Sequence, residues 1–114
     1  LTLTSGDHVD LEFGPPAGSE AGFPLPAVIV TAQEILDRSP NVGQAVPLTS
    51  TIRGFRSEIS IDPAPSGLTH PSAAQCQHMR SVATTRISGS RGNVGPVGLL
   101  RIRETLAIIF DLPG

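Results

Sequence analysis

The chain has 114 residues and a formal net charge of −2, from eight arginines, no lysine and ten carboxylates. That length bounds it to one domain, 1–114, with one core, and the charge excludes a protein that holds nucleic acid by bulk electrostatics. A lone cysteine, Cys76, excludes an intrachain disulfide and a cysteine-cluster zinc site.

Twelve glycines and eleven prolines are dispersed along the chain, which predicts many turns between short elements. Residues 6–13 alternate Val9, Leu11 and Phe13 against His8, Asp10 and Glu12, a strand with one wet face. Gly14 to Pro24 reads as a long loop, of the kind that often carries function. Leu25 to Val30 is a nearly continuous apolar run, hence a buried strand, with Pro26 at its start where no ladder donor is needed. Thr31 to Arg38 predicts a helical turn capped by Thr31, with Glu34 completing a capping box. Ser39 to Val42 is a turn, and Gln44 to Leu48 a strand.

The next strand is predicted from Phe55, with Phe55, Ser57, Ile59 and Ile61 on one face. Gly54 before it fits a turn or bulge. Asp62 to Gly67 reads as a loop, and Ala73 to Gln77 as a strand. Met79 to Ile87 reads as a strand running into a helical turn over 83–86, and Ser88 to Asn93 as a turn. Val94 to Leu112 is the clearest helix. Pro96 sits in its first turn, and Leu99, Ile102, Leu106, Ile109 and Phe110 share one stripe. Five or six short strands and one C-terminal helix predict a mainly β (α+β) domain, a small curled antiparallel sheet or barrel with the helix packed over it.

The richest chemistry lies in Thr49-Ser50-Thr51 followed by Arg53 and Arg56. Hydroxyls and guanidiniums on one loop both donate hydrogen bonds to anionic oxygens, which suits a phosphate. Glu20 in the long loop suits reading a base edge by accepting from an exocyclic amine, and Phe23 suits stacking on an unpaired base. Solvated loop carboxylates and buried loop phenylalanines are the commoner uses of such residues. His8, His70 and His78 have no spacing that makes a metal pair, so no metal and no cofactor is expected.

Over essentially its whole length the chain resembles the MazF/PemK toxin endoribonucleases, with a mycobacterial flavour. The resemblance rests on Gly6-Asp7, Gly18-Ser19-Glu20, Pro26 to Val30, Pro47-Leu-Thr-Ser50 with Arg53-Gly54, Gly67-Leu68 with Pro71-Ser72, Gln77 to Arg80, and the C-terminal helix, in family order and spacing. It implies a homodimeric, SH3-like antiparallel barrel of the CcdB/PemK type, while the lone Cys76 favours a reducing compartment and so a cytoplasmic protein. The resemblance further implies sequence-specific, metal-independent cleavage of single-stranded RNA, in which the ribose 2′-hydroxyl attacks the adjacent phosphate. An antitoxin's C-terminal segment would occupy the same groove. Carried over by position, Thr49 is the catalytic threonine; Arg53 and Arg56, on the same predicted loop, are the cations expected to stabilise developing charge. Ser19, Glu20, Phe23, Ser50, Thr51, Gln77, His78 and Arg80 are the expected RNA contacts. One position departs from the pattern: the family places an arginine immediately before the strand's proline, and here that residue is Leu25. A member that binds RNA or antitoxin without cutting is therefore one alternative, and a gyrase poison of the CcdB type is another.

Overall fold

Apolar alternation forms the centre of the sheet. The structure is a computed structural model that describes residues 2–12 and 24–113. Strand β1 (Asp7–Leu11) pairs antiparallel with β2 (Leu25–Ile29), setting Val9 against Ala27 and Leu11 against Leu25. Strand β2 pairs in turn with β3 (Val42–Thr49), Ala27 against Pro47 and Ile29 against Ala45. Pro26 is the second residue of β2, and the β2–β3 register begins one residue after it.

The other edge of β3 is shared. Its first half, through Ala45, pairs with β6 (Arg80–Ala83), and its end, Leu48 and Thr49, pairs with β5 (Ser72–Gln75). Pro47 falls between the two pairings, where a missing N–H leaves no ladder bond unmade. Strand β4 (Glu58–Ile61) adds to β5, and β7 (Ile87–Asn93) adds to the free edge of β1. The seven strands run β4-β5-β3-β2-β1-β7 with β6 beside β3. The sheet is open rather than a closed barrel: among the described residues no ladder joins β4 to β7.

Each face of the sheet has its own core. Val9, Leu11, Ala27, Ile29, Ala45, Val82 and Ile87 close over Leu3 and Leu36. Val28, Val46, Leu48, Ile61, Ala74 and Cys76 pack against Ile102 and Leu106 of the C-terminal helix. Among the described residues two short α-helices, α1 (Gln33–Leu36) and α2 (Pro63–Ser66), punctuate the chain, and the long α3 (Gly95–Ile109) closes it. No helix among the described residues is long and apolar enough to cross a membrane.

Several expectations are corrected by long-range contacts. Thr31 caps nothing. Its Oγ1 accepts from the Gln44 N–H at 2.8 Å and donates to Gln44 Oε1 at 2.9 Å, so Ala32 stands at the helix start and Glu34 is exposed. Residues 62–67 are not a plain loop, because Pro63 opens a helical turn and Gly67, at φ 78°, closes it. Residues 88–93 are not a turn, since the open edge of β1 recruits this Ser- and Gly-rich segment as β7 despite its low strand propensity. His8 does not face water and is 3% exposed, because α2 folds over its face of β1. Strand β4 begins at Glu58, whose N–H closes a turn onto the Phe55 carbonyl, leaving Phe55 exposed. On α3 the buried stripe stops at Leu106, and Ile109 and Phe110 lie open to solvent with Ile108 and Leu112.

Candidate nucleic-acid interface

Strand β3 ends at Thr49, opposite Ala73 of β5. The Thr49 side chain is half-buried and belongs to neither core. Its Oγ1 accepts from the Thr51 N–H at 3.1 Å, which leaves its own proton free to donate outward. Ser50 to Arg56 is an exposed loop, turned at Gly54 with φ 73°. Positive φ at this position is what a glycine supplies without strain.

Glu58 ties this loop to the next candidate segment. The Arg53 N–H donates to Glu58 Oε1 at 3.4 Å, and Gln77 Nε2 donates to Glu58 Oε2 at 3.5 Å. Gln77 and His78 lie on a 3-10 turn, Cys76–His78, exposed beside the loop. Arg80 follows as the first residue of β6, opposite Ala45 and also exposed. The structure thus ties the Arg53 backbone and the Gln77 side chain to one carboxylate, with His78 next to Gln77 on the same turn. Ser19, Glu20 and Phe23 lie outside the described residues, with most of the Gly14 to Pro24 loop. Among the described residues no three His, Cys, Asp or Glu side chains converge as a metal-binding set.

On the other side, Thr49 and Ser50 line an open groove of about 520 Å³. Its walls are Pro24 and Pro26, the segment Gly67 to His70 with Ser72, and His8, Asp10 and Arg91. Arg53 and Arg56 do not line it. The guanidinium in the groove is Arg91, whose Nε and Nη2 both lie 2.6 Å from Asp10 Oδ2. Sequence reasoning missed Arg91, because residues 88–93 look like a turn and only their pairing with β1 brings them here. Leu25 is no substitute. Continuing the β2–β3 register by two residues sets Leu25 across from Thr49, and its side chain packs against the first core.

Cys76 is a packing residue in this arrangement. Its Sγ sits 3.9 Å from the carbonyls of Ala74 and Ile102, and burial pushes the thiol up from its ordinary 9.0 to about 11.

A family model for the "PemK-like, MazF-like toxin of type II toxin-antitoxin system" matches residues 4–110. The chain belongs to that toxin family. A relative, Endoribonuclease MazF9 of Mycobacterium tuberculosis, is 29% identical over 96% of this chain and 98% of its own. Among solved structures, a MazE–MazF structure from Deinococcus radiodurans has a TM-score of 0.82 at 24% identity, covering 99% of each chain. An endoribonuclease in complex with its cognate antitoxin, from a mycobacterial species, has a TM-score of 0.76 at 20% identity, covering 98% of each chain. These two likenesses establish the toxin's fold: an α+β sheet with a C-terminal helix.

Proposed function

We propose that this toxin is an endoribonuclease that cuts single-stranded RNA at short sequences without a metal. The 2′-oxygen forms its bond to phosphorus as the P–O5′ bond breaks. The 2′-hydroxyl loses its proton, the 5′-oxygen gains one, and the products carry a cyclic phosphate and a 5′-hydroxyl. Thr49 donates its hydroxyl proton to a non-bridging phosphate oxygen. Arg53 and Arg56 add positive charge from the adjoining exposed loop as the phosphorane develops. Ser50, Thr51, Gln77, His78 and Arg80 contact the strand on either side, and the Gly14 to Pro24 loop, with Ser19, Glu20 and Phe23, shapes the sequence preference.

The observation that carries this reading is the state of the Thr49 hydroxyl. It lies at a strand end outside both cores, and its oxygen accepts from the Thr51 N–H, so its own proton is not spent on that bond. A threonine chosen only for strand propensity needs no such orientation. The relative named as an endoribonuclease aligns over nearly the full length of both chains, which supports the same activity here.

The working form is a homodimer, and the C-terminal segment of a MazE-like antitoxin blocks the same groove. The exposed apolar end of α3, with Ile108, Ile109, Phe110 and Leu112, supports burial against a second copy. The known structures of a MazE–MazF pair and of an endoribonuclease with its antitoxin support the second partner.

Leu25 favours a second reading, a toxin that binds RNA but does not cut it. A leucine neither moves a proton nor stabilises an oxyanion, and one missing donor of that kind costs about 10²–10³ in rate. Incubating the protein with single-stranded RNA in EDTA and analysing the termini separates the two. Metal-independent cuts ending in cyclic phosphate, abolished by Thr49→Ala, support cleavage. Intact but bound RNA supports the second reading.

A further inference from the structure

We propose that the groove bounded by Arg91, Asp10, His8 and the Gly67–Ser72 segment is a ribonucleotide subsite. In it Arg91 holds a backbone phosphate of the RNA strand next to the one at Thr49. The inference rests on the RNA-cleavage reading and names where that strand continues.

Arg91 is aimed into the groove by an irregularity of β7. Ser90 lies opposite Val9 and Gly92 opposite His8, so Arg91 is the extra residue of a bulge. Bulges re-aim a side chain out of the pleat. Behind it the backbone is clamped, because a Cβ on Gly92 would lie 2.6 Å from the Ser66 carbonyl carbon and one on Gly67 would lie 2.2 Å from the Arg91 oxygen.

The guanidinium is oriented but not used up. Asp10 engages it through Nε and Nη2, and the side chain of Asp10 is only 14% exposed while that of Arg91 is 58% exposed. The carboxylate is therefore on the inside and the cation on the outside. The N–H groups turned from Asp10 remain available for a second anion. An exposed ion pair alone contributes little to stability, so fold stability is a weak reason for this arrangement. Among the described residues Asp10 is the single carboxylate lining the groove, and Ser50, Thr69, His70 and Ser72 line it with hydroxyls and an imidazole.

A second feature of the groove points to a ligand. His8 lines it, and its Nδ1 lies 2.9 Å from the Ser66 carbonyl, so that nitrogen carries the proton. His8 Nε2 is buried and without a partner among the described residues. Buried polar atoms are rarely left so. A ribonucleotide offers both complements, anionic oxygens for Arg91 and a hydroxyl donor from its sugar. The groove joins the site through Thr49 and Ser50, so a strand held at Thr49 enters it directly.

The test compares wild type with Arg91→Gln and Arg91→Lys in EDTA. Binding is read as anisotropy of a labelled single-stranded RNA pool that keeps its 2′-hydroxyls, in the cold and before cuts accumulate, and turnover is read on the same RNA on warming. Arg91→Gln should weaken binding about tenfold and lower the slope of log affinity against log salt by about 0.7. In turnover the loss should fall on KM rather than kcat, and Arg91→Lys should recover part of it. An unchanged thermal midpoint shows that the fold survives. Wild-type affinity, salt slope and KM in Arg91→Gln overturn the proposal. Binding of a polyglutamate probe that depends on Arg91, with RNA binding untouched, assigns the groove to an acidic peptide and overturns it as well. If wild type binds but leaves RNA intact, cleavage fails as a reading, while an Arg91-dependent affinity still supports the subsite. If wild type neither binds nor cuts, both fall.

Discussion

Two glycines in strands should respond oppositely to the same added methyl group. At Gly92 in β7, a Cβ would lie 2.6 Å from the Ser66 carbonyl carbon and oxygen and 2.8 Å from the Pro65 oxygen. All three are backbone atoms, so relief requires α2 to move off β7. The Ser66 carbonyl is also the acceptor for His8 Nδ1, and displacing it strands that buried donor. Overpacking of this kind costs about 1–3 kcal/mol, and the extra broken bond argues for the upper end. At Gly43 in β3 the nearest atoms to an added Cβ are side-chain atoms of Thr31 and Thr84, at 3.6 and 3.8 Å, which is ordinary contact. Gly43→Ala should therefore be neutral or raise stability by about 0.4–1 kcal/mol through the unfolded chain. For a domain of this size, about 4 °C per kcal/mol puts Gly92→Ala roughly 8–12 °C below wild type and Gly43→Ala at or slightly above it. Thermal unfolding followed by circular dichroism reads both. Equal midpoints for the two variants would refute the close packing of α2 on β7, and with it the shape of the groove.

Ile102→Ala, at a fully buried position under the second core, should cost about 2–5 kcal/mol in urea unfolding, whereas truncating exposed Val97 should cost under about 0.5. Cys76 should resist thiol reagents in the native protein at neutral pH and react only on unfolding, because its thiol is buried and held protonated. Its folded pKa of about 11 lies above the ordinary 9.0, so its contribution to stability is complete below pH 9 and is lost as pH rises towards 11. Stability measured across that window should fall, and Cys76→Ala should flatten the decline. Phe110→Asp, at the exposed end of α3, should give a monomer in light scattering; an unchanged dimer removes that end of the helix from the interface.

Periodicity located most of the sheet before any contact was known. Val9 and Leu11 alternate, Val28 to Val30 is a dense apolar run, and α3 repeats Leu99, Ile102 and Leu106 every three to four residues. Each of these signals is local. What escaped is set by residues distant in the chain. The polar positions of β1 look solvated until Ser66, 58 residues away, covers His8. The segment Ser88 to Asn93 becomes a strand only because β1 offers it an unpaired edge. The same holds for the chemistry. Thr49 is visible as a hydroxyl at the end of an apolar strand, and the loop arginines after it are visible as neighbours in sequence. Arg53 and Arg56 do not line the groove, and a bulge 42 residues beyond Thr49 brings Arg91 into it. Nearness in sequence therefore reveals the hydroxyl, while the guanidinium that lines the groove beside it is brought there only by the pairing of β7 with β1.

The most direct test of the account is the chemistry of the cut ends. Purified protein incubated with single-stranded RNA in EDTA should leave cyclic phosphate and 5′-hydroxyl termini at a short recurring sequence. Thr49→Ala should abolish the cuts while keeping the wild-type thermal midpoint. RNA that stays intact with wild type, or full cleavage by Thr49→Ala, contradicts the account.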